Sequence, residues 1–239
     1  MSELTWDTLY TDHAGAYEVL VSHEDFQGNL LRAIQSVQPL AGKVSVEFGC
    51  GTGRLTGLLA GSVQRLHAFD FTASMLRLAQ HKQSLHGWNN VSLALADSRR
   101  MPVRSGWADF AIEGWAFLQI AVWHPGDWQY QLGRALEEMH RIVRPGGKLI
   151  LIETLGTGET APKVTPFFRT VYDFLEAQCG FTPLNEIRTD NRFETLGQVR
   201  QVVLPLFGQE MLGRLVETAT GWLLPECTGL WWRERSFTK

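Results

Sequence analysis

Five short apolar runs alternate with stretches of helical period between residues 41 and 155. KVSVEF (43–48), RLHAFD (65–70), VSLALA (91–96), WADFAIEG (107–114) and KLILIE (148–153) read as strands. The intervals GRLTGLLAGS, TASMLRLAQHKQSLH and YQLGRALEEMHRIV read as helices. The second of these places Met75, Leu76 and Ala79 on one face, and the third runs out at Arg144 before PGG. Crossovers of that length demand parallel pairing, and right-handed connections then put helices on both faces. The predicted fold is a doubly wound α/β sheet.

Beyond residue 155 the pattern changes. GTGETAP is loop-like, FFRTVYDFLEAQCG predicts a helix stopped by Gly180, and FTPLNEIRT suits another strand. TLGQVRQVVLPLFGQEMLGRLVETATG predicts helix with a break at Pro205, and CTGLWWRERSF a closing strand. No repeat or interdomain linker appears, so the chain reads as one domain over 1–239. Within it, 1–40 forms a helical lid or packing segment, 41–155 the core, and 156–239 a substrate-side insertion with the closing strands.

Composition narrows the function classes. With 239 residues the chain can bury a core without staples. A net charge of −3 with scattered Lys and Arg argues against a nucleic-acid partner. Cys50, Cys179 and Cys227 are odd in number and lack metal-ligand spacing, which points to reduced thiols and no metal. No secretory leader pattern opens the chain and no apolar run approaches the ~20 residues of a membrane span. The expectation is a soluble, cytoplasmic protein.

Candidate chemistry centres on VEFGCGTGRLTGLLA (46–60), a glycine turn after the first strand of the core. That place is the carboxyl edge of the sheet, where ligands bind. A dinucleotide fingerprint needs a third glycine where this chain has Arg54 or Thr56, depending on the frame. The observed string, Glu47-x-Gly49-x-Gly51-x-Gly53, resembles the first motif of class I S-adenosylmethionine-dependent methyltransferases. Glycines let the backbone approach the amino-acid tail of that cofactor, amide N–H groups meet its carboxylate, and an acid serves its ammonium. A helix-entry turn with no ligand is the plain alternative.

Other segments are similar to the same family at matching spacing. FDFTASML resembles its second motif, which implies that Asp70 accepts from the ribose hydroxyls; an Asp there is also a common helix N-cap. ALADSRRMP implies that Asp97 recognises the exocyclic amine of adenine while the Ser98 backbone meets the ring, although a loop Asp often serves only turn chemistry. Phe71 and Met75 are candidates to flank the adenine, with core packing the alternative for Met75. RIVRPGGKLILIE is similar to the helix, turn and fifth strand of the family, so the resemblance spans about 15–155. It implies a sheet order of 3-2-1-4-5-7-6 with the last strand antiparallel. It further implies S-adenosylmethionine as cofactor, S-adenosylhomocysteine as product, and a place among bacterial, type 11-like enzymes acting on small molecules.

The cofactor's sulfonium already makes its methyl electrophilic, so the protein must mainly align a nucleophile, with a base needed only for a protonated acceptor. EGWAFLQ stands where adenine methylases carry an NPPY-like loop, which counts against flipped-base chemistry. Trp115, Phe117, Trp123 and Trp128 suit either a pocket for a planar acceptor or a packed helix. His124 is the first candidate base and Glu153 the second; Glu113 ends the fourth strand facing the cofactor cleft. The resemblance implies that Tyr17 and His13, in the N-terminal segment, can close over the cofactor. A nicotinamide-dependent oxidoreductase and a non-catalytic methyltransferase-like binding protein stay open as alternatives.

Overall fold

The computed structural model describes residues 14–184 and 186–236. In chain order the helices are α1 (Ala14–Ser22), α2 (Asn29–Val37), α3 (Arg54–Ala60), α4 (Ala73–His86), α5 (Phe117–Trp123), α6 (Trp128–Ile142), α7 (Pro166–Ala177) and α8 (Leu196–Phe207). The strands are β1 (Val44–Phe48), β2 (Arg65–Asp70), β3 (Val91–Leu95), β4 (Ala108–Gly114), β5 (Val143–Thr157), β6 (Thr182–Pro183), β7 (Ile187–Arg188), β8 (Asn191–Phe193), β9 (Val216–Thr218), β10 (Gly221–Leu224) and β11 (Glu226–Glu234). These elements divide into two compact units.

The larger unit, residues 31–153, 164–184 and 229–236, holds the expected sheet in the order β3-β2-β1-β4-β5-β11-β6. β1, β2, β3, β4 and β5 pair in parallel, and β11 runs antiparallel to β6. β11 therefore occupies the place of the family's seventh strand. β1 and β4 are deeply buried because helices cover both faces of the sheet centre, and Phe48, Phe110, Ile112 and Leu149 are fully buried there. α4 ends on Gly87 in the left-handed conformation, which returns the chain to β3.

The smaller unit, residues 14–30, 154–163 and 186–228, has its own core of Leu20, Phe193, Val199, Val202, Val203 and Leu224. A three-stranded antiparallel sheet, β8-β10-β9, packs with α8 around it. The stretch 195–221 is not one broken helix. Thr195 and Gln198 form a capping box that starts α8, Pro205 is tolerated in its final turn, and Gly208 ends it. A 3-10 turn over Gln209–Arg214 follows, and Val216–Thr218 pairs as β9, where its β-branched residues prefer extended backbone. Tyr17 lies half-buried on α1 of this unit, and His13 lies outside the described residues. Among the described residues no helix is long and apolar enough to cross a membrane.

Candidate active site

β1 delivers the chain to the carboxyl edge, where it turns through Gly49, Gly51 and Gly53 at φ 68°, 53° and 86°. Only glycine enters that left-handed region without strain. The glycines at 49 and 51 answer different demands. A Cβ on Gly49 would lie 2.4 Å from the Cβ of Ala116, in the turn after β4, whereas a Cβ on Gly51 would meet nothing within 4 Å. Gly49 is thus fixed by packing, and Gly51 leaves an open face that a ligand can approach. The adjoining Thr52 hydroxyl is buried and has no hydrogen-bond partner among the described residues.

Asp70 ends β2 and ties this turn to the next one. Its Oδ2 accepts from the Gly51 N–H at 2.8 Å and its Oδ1 from the Thr72 N–H at 2.7 Å. Burial pushes its carboxyl above the usual range, and these N–H groups pull it back. Glu47 lies beneath the turn, 1 % exposed, and accepts from the Thr56 hydroxyl at 2.6 Å. Burial raises it to about 7 against the Thr56 hydrogen bond, and the charge of Asp70 adds to the rise. Glu47 therefore acts on the loop from below, through the first turns of α3.

At the end of β3 the Asp97 carboxylate holds the Arg99 guanidinium, with Nη2 at 2.7 Å and Nε at 2.9 Å. The Arg99 hydrogen bonds hold Asp97 below its ordinary value. Ser98, half-buried, sits inside the tight turn closed by the Arg100 N–H on the Asp97 carbonyl at 2.9 Å. Arg99 also donates through Nη1 to Gln131 Oε1 at 2.8 Å and to His124 Nε2 at 3.1 Å. A guanidinium only donates, so this Nε2 is an acceptor and the ring proton of neutral His124 belongs on Nδ1. Proton abstraction by Nε2 would require Arg99 to release it first.

The aromatic stretch after β4 divides in two. Phe117 and Trp128 are core, Trp128 packing edge-on against Phe167 and Phe174 of α7. Trp115 and Trp123 are half-buried, and Trp123 meets Phe71 edge-on at 5.3 Å. Phe71 is 55 % exposed beside Asp70, while Met75 is buried in the face of α4 that packs on the sheet. Trp115 takes φ 56°, rare for a bulky residue, with the Arg54 guanidinium 3.4 Å above its ring. Arg54 and Arg99 were not singled out by sequence reasoning, although each sits one or two residues after a motif position. Glu113 and Glu153 are fully or almost fully buried and spend their oxygens on backbone N–H groups. They lie under the turn at 115–118.

A doubly wound sheet in this order, with a three-glycine turn after β1, an acid beneath it and acids ending β2 and β3, is the arrangement of class I S-adenosylmethionine-dependent methyltransferases, and the core of this chain has their fold. Residues 46–151 match the model of a methyltransferase domain. The chain is 28 % identical over 182 residues to a malonyl-(acyl-carrier protein) O-methyltransferase of Serratia marcescens, covering 76 % of this chain and 64 % of that protein. It is 28 % identical over 116 residues to a demethylmenaquinone methyltransferase of Geobacillus stearothermophilus, covering 47 % of this chain and 46 % of that one. The match thus spans about half to two thirds of the length of these relatives. Its fold is that of a solved S-adenosylmethionine-dependent methyltransferase from Aquifex aeolicus, with a TM-score of 0.53, 15 % identity, and 89 % and 97 % of the two chains covered.

The site also fits the cofactor of that class on its own chemistry. Gly51 presents an open backbone face, the buried Thr52 hydroxyl is unsatisfied among the described residues, and Asp70 has acceptor capacity beyond its two N–H partners.

Proposed function

We propose that this chain transfers the methyl group of S-adenosylmethionine to a small-molecule acceptor. The observation that carries the reading is the open turn at Gly51 tied by Asp70 to the end of β2. In this reading the turn N–H groups and Thr52 hold the amino-acid tail, Asp70 holds the ribose, and Asp97 with Phe71 holds the adenine. Glu47 favours the bound cation from beneath the turn. Bound cofactor supplies an electrophilic methyl on a sulfonium. The chain's own residues then orient and exclude water: Trp115 and Trp123 wall the acceptor side, and Asp97 and Gln131 hold Arg99 against His124. Alignment is the main source of rate. His124 serves as base only for an acceptor that must lose a proton and only once Arg99 has moved.

The names of the two relatives point to acyl and quinone acceptors. A net charge of −3 and the aromatic wall support a small organic acceptor rather than nucleic acid, and three free thiols suit the cytoplasm. The test is transfer of labelled methyl from S-adenosylmethionine to malonyl-acyl-carrier protein, to demethylmenaquinone and to an RNA oligonucleotide. Label in an organic acceptor supports the reading; label in the oligonucleotide, or tight binding to it that falls steeply with salt, overturns the acceptor class.

A further inference from the structure

Glu113 and Glu153 project from the same face of adjacent parallel strands, because Glu113 is in register with Leu151 and Glu153 lies two residues further along β5. They are 0 % and 3 % exposed. Between them they take the first N–H groups of α5. Ala116 and Phe117 donate to Glu113 Oε2 at 3.1 Å each, and Leu118 donates to Glu153 Oε1 at 2.7 Å. Glu113 Oε1 accepts from the Ile152 N–H at 3.1 Å. Ala116, at the start of α5, has no side-chain oxygen, so the sheet below supplies the cap that the local sequence lacks. Both carboxyl groups line one buried cavity, side by side on the same face of the sheet. Two buried carboxyl groups so placed cannot both carry a charge, so one of them keeps its proton. Both oxygens of Glu113 already accept, which leaves Glu153 as the proton carrier.

We propose that Glu113 and Glu153 hold one proton between them and act as a single positioning unit that locks the Trp115–Leu118 turn against the glycine loop. The lock reaches the loop through Ala116, whose Cβ fills the space a side chain at residue 49 would need. The link to cofactor binding rests on the methyl-transfer reading; the shared proton does not. Beside the pair is a cavity of about 10 Å³, closed by Phe117, Leu118, Leu132 and Leu151. That is room for one water at most, so a second charge there finds almost no solvation. Among the described residues the other titratable side chain lining this cavity is Tyr172 of α7, and no basic group lines it. Burial pushes Glu113 to about 7 against its backbone N–H partners. Burial, with the Glu113 charge adding to it, pushes Glu153 well above its ordinary value. Folded values above the unfolded ones mean that this stabilisation is complete below the unfolded value of 4.5 and is lost as pH rises through about 7 and beyond.

The two isosteric variants separate the roles. In Glu153→Gln the amide can donate permanently to Glu113 while its carbonyl still accepts from Leu118. In Glu113→Gln an amide donor faces backbone N–H donors. Infrared difference spectra at neutral pH between the wild type and Glu153→Gln should contain the carbonyl band of a protonated carboxyl. Glu153→Gln should melt no lower than the wild type and lose part of the alkaline decline in stability, while Glu113→Gln should melt lower. Titration with S-adenosylhomocysteine should then weaken at least tenfold in Glu113→Gln and stay within about twofold in Glu153→Gln. No protonated-carboxyl band, or equal destabilisation by the two variants, overturns the proposal, and the band and Glu153→Gln decide the matter even if Glu113→Gln fails to fold. If band and melting behave as expected but the wild type binds no S-adenosylhomocysteine, the pair stands and the methyl-transfer reading falls.

Discussion

Alanine at Gly49 and at Gly51 should fail in different ways. Both positions are left-handed, at φ 68° and 53°, so each alanine carries the same conformational cost of about 1–2 kcal/mol. The new methyl at 51 meets nothing within 4 Å, so its stability cost ends there. The new methyl at 49 lands 2.4 Å from the Cβ of Ala116, a full ångström inside ordinary contact at 3.4–4 Å. The turn that must yield is backbone clamped by Glu113 and Glu153, not the end of a flexible side chain. Overpacking of that kind costs about 1–3 kcal/mol more. In a chain of 239 residues, ~1 kcal/mol moves the melting temperature by about 2–4 °C. Gly49→Ala should therefore lower it by about 4–20 °C and Gly51→Ala by only about 2–8 °C. Binding should rank the other way for a folded protein, because the methyl at 51 stands on the open face of the turn. Calorimetric titration with S-adenosylhomocysteine should show Gly51→Ala weakened by more than tenfold. Equal melting temperatures for the two variants, or wild-type affinity in Gly51→Ala, would refute this division of labour.

Three further outcomes follow from named contacts. Burial raises Glu47 from 4.5 to about 7, which corresponds to roughly 3–4 kcal/mol of stability present below 4.5 and lost as pH climbs through 7; Glu47→Gln should flatten that part of a stability-versus-pH curve, and an unchanged slope would show that Glu47 ionises freely. Asp70→Ala removes the acceptor of two backbone N–H groups as well as that of the ribose, so S-adenosylhomocysteine affinity should drop about ten- to a hundredfold and the melting temperature should fall; retained affinity in the folded variant removes Asp70 from the site. His124→Ala, assayed once an acceptor is known, should cost less than about tenfold in turnover if alignment dominates; a loss of ~10² in turnover with cofactor affinity unchanged would instead make His124 the base.

The strands and helices of the sheet were legible because their signal is local, short apolar runs at strand length separated by helical period, whereas the order of the strands came from the family resemblance. The glycine turn and the acids at 47, 70 and 97 were legible for the same reason, since each sits at a fixed offset from a strand end. What the sequence could not display were partners chosen by the fold. Glu113 and Glu153 are 40 positions apart yet cap the same turn, so two acids that read as cleft-facing became supports beneath it. Arg99 lies two residues after Asp97, but only the crossover through α5 brings His124 and Gln131 to its other side. Residues 195–221 misled differently. Their apolar spacing is helical throughout, and the end of α8 at Gly208 followed by pairing of Val216–Thr218 with β10 is decided by tertiary contacts in the smaller unit.

The most direct test of the account is a pair of calorimetric titrations on the full chain, one with S-adenosylhomocysteine and one with a nicotinamide dinucleotide, each repeated on Asp70→Ala. Saturable binding of S-adenosylhomocysteine by the wild type, weakened at least tenfold by the substitution, with no heat from the dinucleotide, is the predicted result. Binding of the dinucleotide with none of S-adenosylhomocysteine would contradict it.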